Sequence, residues 1–338
     1  MPIDIVLDAM GSDKAPEPEI RGAILAARQL GVRVHLVGPE DLLRPKLREC
    51  LRAYPSSKRP SVFIVQASEW ISMEDKAAQA VRAKRDSSMR IGLKMVREGR
   101  AAGFVTAGNT GAAMATAKMV LGSLAGVDRP ALATVLPTTV GRPCVLLDVG
   151  ANVDSHPENL VQFATMGVMY AKNVLGVANP RVGLLSIGEE DSKGNSLTRD
   201  TLPLMRELPY HVLGNVEGRD LYNGNVDVVV CDGFVGNVAL KTTEGVVKLM
   251  TSVLRQSLKS TISSQVGALL SQKAFKGFKK TLDYTEYGGA PLLGVRGACV
   301  IGHGSSNDRA IYNGIRVTAE YAQANVNSDI EAALAAKP

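Results

Sequence analysis

Six short segments hold the residues best able to handle a charged substrate. They are Asp8-Ala9-Met10-Gly11-Ser12-Asp13, Thr106-Ala107-Gly108-Asn109-Thr110-Gly111, Asp148-Val149-Gly150-Ala151-Asn152, Gly188-Glu189-Glu190-Asp191-Ser192-Lys193-Gly194-Asn195, Asp232-Gly233-Phe234-Val235-Gly236-Asn237 and Gly302-His303-Gly304-Ser305-Ser306. Each mixes glycine with Asn, Asp, Ser, Thr, Lys or His and follows an apolar run. Glycine lets backbone amides approach a ligand, and a helix that starts there turns its positive end toward an anion. One such loop is ordinary turn chemistry. Six at the strand ends of an open parallel sheet would share the carboxyl edge, where ligands bind.

Within this set the Thr106–Gly111 loop is the best anion candidate, through Gly108, Asn109, Thr110 and Gly111, because a helix over 112–121 follows it. No Gly-Lys-Ser/Thr follows, so it is not a Walker motif, and no GxGxxG is present; a nucleotide cofactor has no support. Lys193 stands beside Glu189, Glu190 and Asp191. That is either a solvated charged turn or a lysine held by acids and aimed at a phosphate or a developing oxyanion. His303, between two glycines, is either a structural histidine or a general acid or phosphate donor. Arg82, Lys84 and Arg85 precede Ser87 and Ser88, where a solvated helix face competes with an anion clamp. Cys144, Cys231 and Cys299 sit in or beside apolar runs and read as small buried hydrophobes rather than nucleophiles. The four cysteines and four histidines form no metal-ligand spacing, so no metal is expected.

The elements that must position these loops are legible as alternating short apolar runs and helical patterns. Strands are expected over 3–7, 32–37, 62–65, 103–106, 131–136, 144–149, 182–186, 226–231 and 298–301, and helices over 18–30, 41–54, 158–175 and 196–207. Runs of Val, Leu and Ile without polar alternation point to strands covered on both faces. The expected fold is α/β: one large three-layer domain over 1–338 with a mostly parallel, Rossmann-like sheet and a helical hairpin inserted at 240–282.

Composition sets the outer limits. The chain has 338 residues, 45% hydrophobic and 21% charged, which excludes disorder and a disulfide scaffold. Aromatics at 4% are too few for a nucleic-acid stacking platform. The N-terminus lacks the basic start and long apolar core of a signal peptide, so a cytoplasmic location is expected. The formal charge is +6, and residues 241–280 alone carry eight basic residues against Glu244, a net +7 that leaves −1 for the rest. In that stretch Val247, Met250, Leu254, Leu258 and Ile262 recur at helical spacing, as do Val266, Leu270, Ala274 and Phe278, with a turn expected around Ser263-Ser264. Either both stripes are buried in a dimer bundle, or the tip at Ile262, Val266, Leu269 and Leu270 enters the headgroups of an anionic membrane.

The loops DAMGSD, TAGNTGA, LLDVGANVD, IGEEDSKGN, GNVEGRD, CDGFVGN and YGGAPLLGV, followed by GHGSS, resemble in order and spacing the phosphate acyltransferases of bacterial phospholipid synthesis, the PlsX family. The match runs from Ile3 to about Tyr312. It departs from the family pattern at Ser12, usually glycine, and at Thr106 and Ser186, often serine and asparagine. The resemblance implies acyl transfer from acyl-[acyl carrier protein] to inorganic phosphate, a homodimer, and a fold related to phosphotransacetylases and isocitrate-type dehydrogenases. It implies no cofactor. A product labile in water would pass to a membrane acyltransferase acting on glycerol 3-phosphate, which fits a protein peripheral to the inner membrane face. On this reading Lys193, His303 and Asn237 are the candidate catalytic residues. Asp8, Gly11, Gly108, Asn109, Thr110, Gly111, Asn152, Arg82, Ser88 and Asp232 would bind substrate or phosphate. An acyl-coenzyme A-dependent phosphotransacetylase and a non-catalytic carrier- or membrane-binding protein are the rival readings.

Overall fold

The computed structural model describes residues 2–55, 59–275, 277 and 288–336. Eleven strands form one sheet in the order β3-β2-β1-β4-β11-β10-β5-β6-β9-β7-β8. The first group is β1 (Asp4–Asp8), β2 (Arg33–Gly38), β3 (Val62–Gln66), β4 (Gly103–Thr106) and β11 (Ala298–Ile301), all parallel to one another. The second is β6 (Cys144–Leu147), β7 (Arg181–Leu185), β8 (His211–Val216) and β9 (Val228–Val230), again mutually parallel. Between them β5 (Ala131–Leu136) and β10 (Ala290–Leu293) pair antiparallel with each other and with their outer neighbours β6 and β11. Three antiparallel steps reverse the chain, so the two groups run in opposite directions. Ile5–Leu7, Val145–Leu147 and Val228–Val230 are buried on both faces, as their unbroken apolar runs require.

This reversal corrects one expectation. The six polar loops do not lie on one carboxyl edge: those after β1, β4 and β11 occupy one edge of the sheet, and those after β6, β7 and β9 the other.

Helices cover both faces. On the first group lie α1 (Glu17–Gln29), α2 (Glu40–Leu51), α3 (Ala77–Ala83), α4 (Ser88–Arg97), α5 (Thr110–Val120) and α11 (Asp308–Gln323). The second carries α6 (Pro157–Asn173), α7 (Ser196–Arg206), the short α8 (Asp220–Asn223) and α12 (Val326–Ala335). The helical hairpin is α9 (Gly233–Lys259) and α10 (Ile262–Leu270). Its first helix begins seven residues before the expected start at 240, because the Asp232 carboxylate caps Phe234 and Val235 N–H at 2.9 Å each. The turn falls at Ser260-Thr261, not Ser263-Ser264: the Thr261 hydroxyl accepts from Ser264 N–H (3.1 Å) and starts α10. At ~1.5 Å per residue α9 is about 40 Å long. Along its outer half Leu249, Met250 and Val253 are exposed, as are Ile262, Val266, Leu269 and Leu270 on α10. Lys276, Phe278, Lys279 and Lys280 of the expected hairpin lie outside the described residues.

Candidate active site

A groove of about 900 Å³ opens where the two strand groups meet, within the ~300–1,000 Å³ range of small-molecule sites. Leu132, Thr134 and Leu136 of β5 line it from the sheet, with Ala290 of β10 and Ile301 of β11 beside them. Leu240, Val246 and Val247 of α9 add an apolar wall, while Asp13, Thr110 and the Gly302–Gly304 turn supply polar groups. Among the candidates that the sequence offers, Gly108, Thr110, His303 and Asn237 come together here.

Each polar wall has a local cause. Asn109 caps α5: its side-chain oxygen accepts from Ala112 N–H (3.0 Å), while its Nδ2 donates to Asp75 O (3.1 Å) and holds the 73–75 segment against the loop. Ala113 is the first residue whose amide finds a carbonyl one turn back, at Asn109 O (2.9 Å), so the Thr110 and Gly111 amides precede the helical ladder. They are natural donors to an anion. The loop before α1 crosses under this turn so closely that a Cβ on Gly11 would sit 2.8 Å from Gly108 N, which only glycine avoids.

Asp8 does not reach the groove. It is buried under the loop, accepting from the Thr106 hydroxyl (2.8 Å), which in turn accepts from Gly108 N–H (3.0 Å); burial pushes its carboxyl up. Ser88 is buried as well. Asp8, through Thr106, supports the 106–111 loop from beneath.

His303 leads the turn after β11. The backbone N–H of Ser305 donates to its Nδ1 (3.1 Å), and the Ser305 hydroxyl lies 2.8 Å from the same atom. A backbone amide can only donate, so Nδ1 is the acceptor and the neutral ring carries its proton on Nε2.

Asn237 stands on the second turn of α9, which packs hard against the loop after β6. A Cβ on Gly236 would fall 1.8 Å from Asp148 O, and one on Gly233 2.7 Å from Asn152 O. Asp148 builds that loop: its buried carboxylate accepts from the amides of Leu132 (3.0 Å), Gly150 (3.1 Å), Ala151 (3.0 Å) and Asn152 (2.7 Å) and from Asn152 Nδ2 (2.9 Å). Asn152 is therefore committed to Asp148 and to Pro130 O (2.8 Å), and Asp232 to its helix cap.

Lys193 is placed elsewhere. Its loop follows β7, three strands from β5 and on the opposite edge from His303. The neighbouring acids do not hold it: Glu189 pairs with Arg219 (2.8 Å) and Asp191 with Arg206 (2.7 Å). Among the described residues none pairs with the exposed Lys193 ammonium. Arg82 is exposed on α3 and does not line the groove. Burial pushes the Cys144 and Cys299 thiols up to about 12 and Cys231 well above its ordinary value, which suits hydrophobes and not nucleophiles.

Sequence reasoning did not reach Thr134, Tyr222 and Thr243. Tyr222 and Thr243 share a short hydroxyl contact that ties α8 to α9 where both line the groove. The partners come from segments 21 residues apart, and no local pattern announces them.

Comparison with known proteins now bears on this geometry. The chain is 67% identical over 333 residues to a phosphate acyltransferase of Acidobacterium capsulatum, covering 98% of this chain and 97% of that one. In structure it resembles the EutD phosphotransacetylase of Staphylococcus aureus (TM-score 0.60, 15% identity, 95% and 94% of the two chains). It also resembles a 4-hydroxythreonine-4-phosphate dehydrogenase of Klebsiella pneumoniae (TM-score 0.54, 17% identity, 96% and 100%). These likenesses show the α/β fold with its large, mostly parallel sheet. The model of the fatty acid synthesis protein family matches residues 3–329, and to that family the chain belongs.

Proposed function

We propose that this groove transfers an acyl group from the thioester of an acylated carrier protein to inorganic phosphate, releasing acyl phosphate and the free carrier thiol. The observation that carries this reading is the meeting of an apolar channel with a rim of hydrogen-bond donors. Leu132, Leu136, Leu240 and Val247 offer a dry wall for an acyl chain, and the Thr110 and Gly111 amides with His303 Nε2–H offer donors for a dianion and an oxyanion. The relatives named phosphate acyltransferase support it.

The chemistry asks little beyond positioning. A thioester is already activated, and its thiol leaving group, with a reference pKa of ~8.5, departs readily near neutral pH. A phosphate oxygen attacks the carbonyl carbon, the tetrahedral oxyanion is held by the donors, and the C–S bond breaks as the carbonyl re-forms. In this scheme Asn237 and His303 polarise or orient the carbonyl and phosphate. Lys193, on the other edge, serves the groove of a second copy in a homodimer.

The hairpin fits the same scheme. The outer half of α9 joins the dimer, and the α10 tip, with Leu269 68% and Leu270 82% exposed, rests on anionic membrane. Nearby basic residues draw it there at ~1 kcal/mol each close to the surface, and offer a landing for an acidic carrier. That would place a cytoplasmic enzyme where a membrane acyltransferase consumes its labile product. None of the described helices is long and apolar enough to cross a membrane.

The test is a donor comparison: equal concentrations of palmitoyl-carrier and palmitoyl-coenzyme A with phosphate. Preference for the carrier thioester supports the proposal; preference for coenzyme A assigns a phosphotransacetylase instead. Absence of acyl phosphate with either leaves a non-catalytic carrier-binding protein.

A further inference from the structure

Under the rim of the groove lies a buried carboxyl that the transfer chemistry does not use. Glu19, on the first turn of α1, is fully buried and reaches back seven residues so that its Oε1 accepts from Ser12 N–H at 2.9 Å. Its Oε2 and the Ser12 hydroxyl are buried without a completed hydrogen bond. Ser12 sits at the centre of a loop that touches both polar turns of the groove. On one side Gly11 meets Gly108, and on the other Asp13 N–H donates to Gly304 O at 2.8 Å.

We propose that Glu19 is a positioning residue whose neutral carboxyl holds the 8–13 loop against the Gly108 and Gly304 turns, and whose ionisation weakens anion binding in the groove. The inference rests on reading the groove as the phosphate site. A negative charge introduced beneath amides that face an anion opposes that anion, and low polarisability in the interior preserves the effect. Burial pushes the Glu19 carboxyl up to about 7, and the nearby Asp8 charge adds to the rise. The switch would thus operate across neutrality.

Several charged groups on the elements packed against α1 are engaged in pairs, while Asp41, Arg48 and Glu49 of α2 are exposed to solvent. Lys46 of α2 pairs with Glu17, Arg33 and His35 of β2 with Asp4, and Asp308 of α11 with Arg21 at 4.0 Å. Arg309 of α11 lies over the Tyr312 ring at 4.8 Å.

The experiment measures inhibition by sulfate, which stays a dianion throughout, at pH 6 and pH 8.5 in the wild type, Glu19→Gln and Glu19→Ala. In the wild type sulfate binding should weaken about three- to tenfold over this interval, as a charge several ångströms from an anion dictates. Glu19→Gln, neutral and isosteric, should keep the tight low-pH affinity at both values. Glu19→Ala should bind weakly at both, because Ser12 N–H loses its acceptor. Equal pH dependence in wild type and Glu19→Gln would overturn the role of Glu19 while leaving the groove an anion site. Sulfate that inhibits none of the three proteins would overturn that role and the phosphate site together.

Discussion

The Ser305 amide, 3.1 Å from His303 Nδ1, settles which ring nitrogen of that histidine can donate. With Nδ1 accepting, Nε2 is the nitrogen that bears the proton in the neutral ring, and the proposed scheme uses it as the hydrogen-bond donor. Replacing a donor aimed at a developing oxyanion costs ~10²–10³ in turnover. His303→Ala should lose that much kcat, and His303→Gln, which can donate from its amide, should recover part of it. Steady-state turnover of both variants checks this; a wild-type kcat in folded His303→Ala would remove the ring from the reaction.

Lys193 and His303 lie on opposite edges of the sheet, and this makes a sharp experiment available. Lys193→Ala and His303→Ala should each be nearly inactive alone. Mixed dimers of the two should recover activity, since one groove then has both intact residues. Failure of the mixture to exceed its components would confine Lys193 to its own chain or to no role.

Stability should depend on pH through the buried carboxyls. Glu19 rises from 4.5 to about 7 on folding, so between these values the folded chain holds a proton that the unfolded chain has released. Stability is then greatest below about 4.5 as far as this group is concerned, and falls as pH rises toward 7. The loss amounts to roughly 3 kcal/mol at 1.36 kcal/mol per unit. Asp8 is shifted the same way. Urea unfolding at pH 5 and pH 8 should show the fall, and Glu19→Gln should flatten it; an unchanged slope in the variant would contradict the assignment.

On the hairpin, Leu249→Glu with Val253→Glu should convert a dimer to a monomer in sedimentation analysis. Leu269→Glu with Leu270→Glu should leave soluble turnover intact and abolish pelleting with anionic vesicles at low salt. Equal pelleting of this variant and the wild type would mean that α10 is not the anchor.

Much of the architecture was legible because buried strands announce themselves. Val145–Leu147 and Val228–Val230 are apolar without alternation and lie where that pattern puts them. The strands β8 and β10 escaped because one is an edge strand exposing His211 and Leu213 around Gly214, and the other carries Pro291 directly after a Gly-Gly-Ala turn that reads as loop. Strand direction escaped for a different reason. Periodicity reports burial, not polarity, and the antiparallel β5 and β10 split six similar loops between two edges. Within the loops, residue type marked His303, Thr110 and Asn237. It could not distinguish residues lining the groove from those spent on the scaffold, such as Asp232 on its cap and Asn152 on Asp148. Glu19 was hidden as an ordinary acid in the first turn of a helix.

The proposed scheme runs without an acyl-enzyme, with Cys144, Cys231 and Cys299 buried and the thioester already activated. With acylated carrier and no phosphate, the intact mass of the protein should stay unchanged, and each Cys→Ala variant that folds should retain turnover. Treatment with a chelator should leave the rate unaffected, since the proposed donors are amides and an imidazole. An acyl adduct on the protein would contradict direct attack.

The most direct test of the central claim supplies palmitoyl-carrier and fully ¹⁸O-labelled phosphate to the purified protein and follows both products by mass spectrometry. The account predicts palmitoyl phosphate that retains all four labelled oxygens, formed in step with free carrier thiol. Carrier thiol released with palmitate alone, or no release at all, would contradict it.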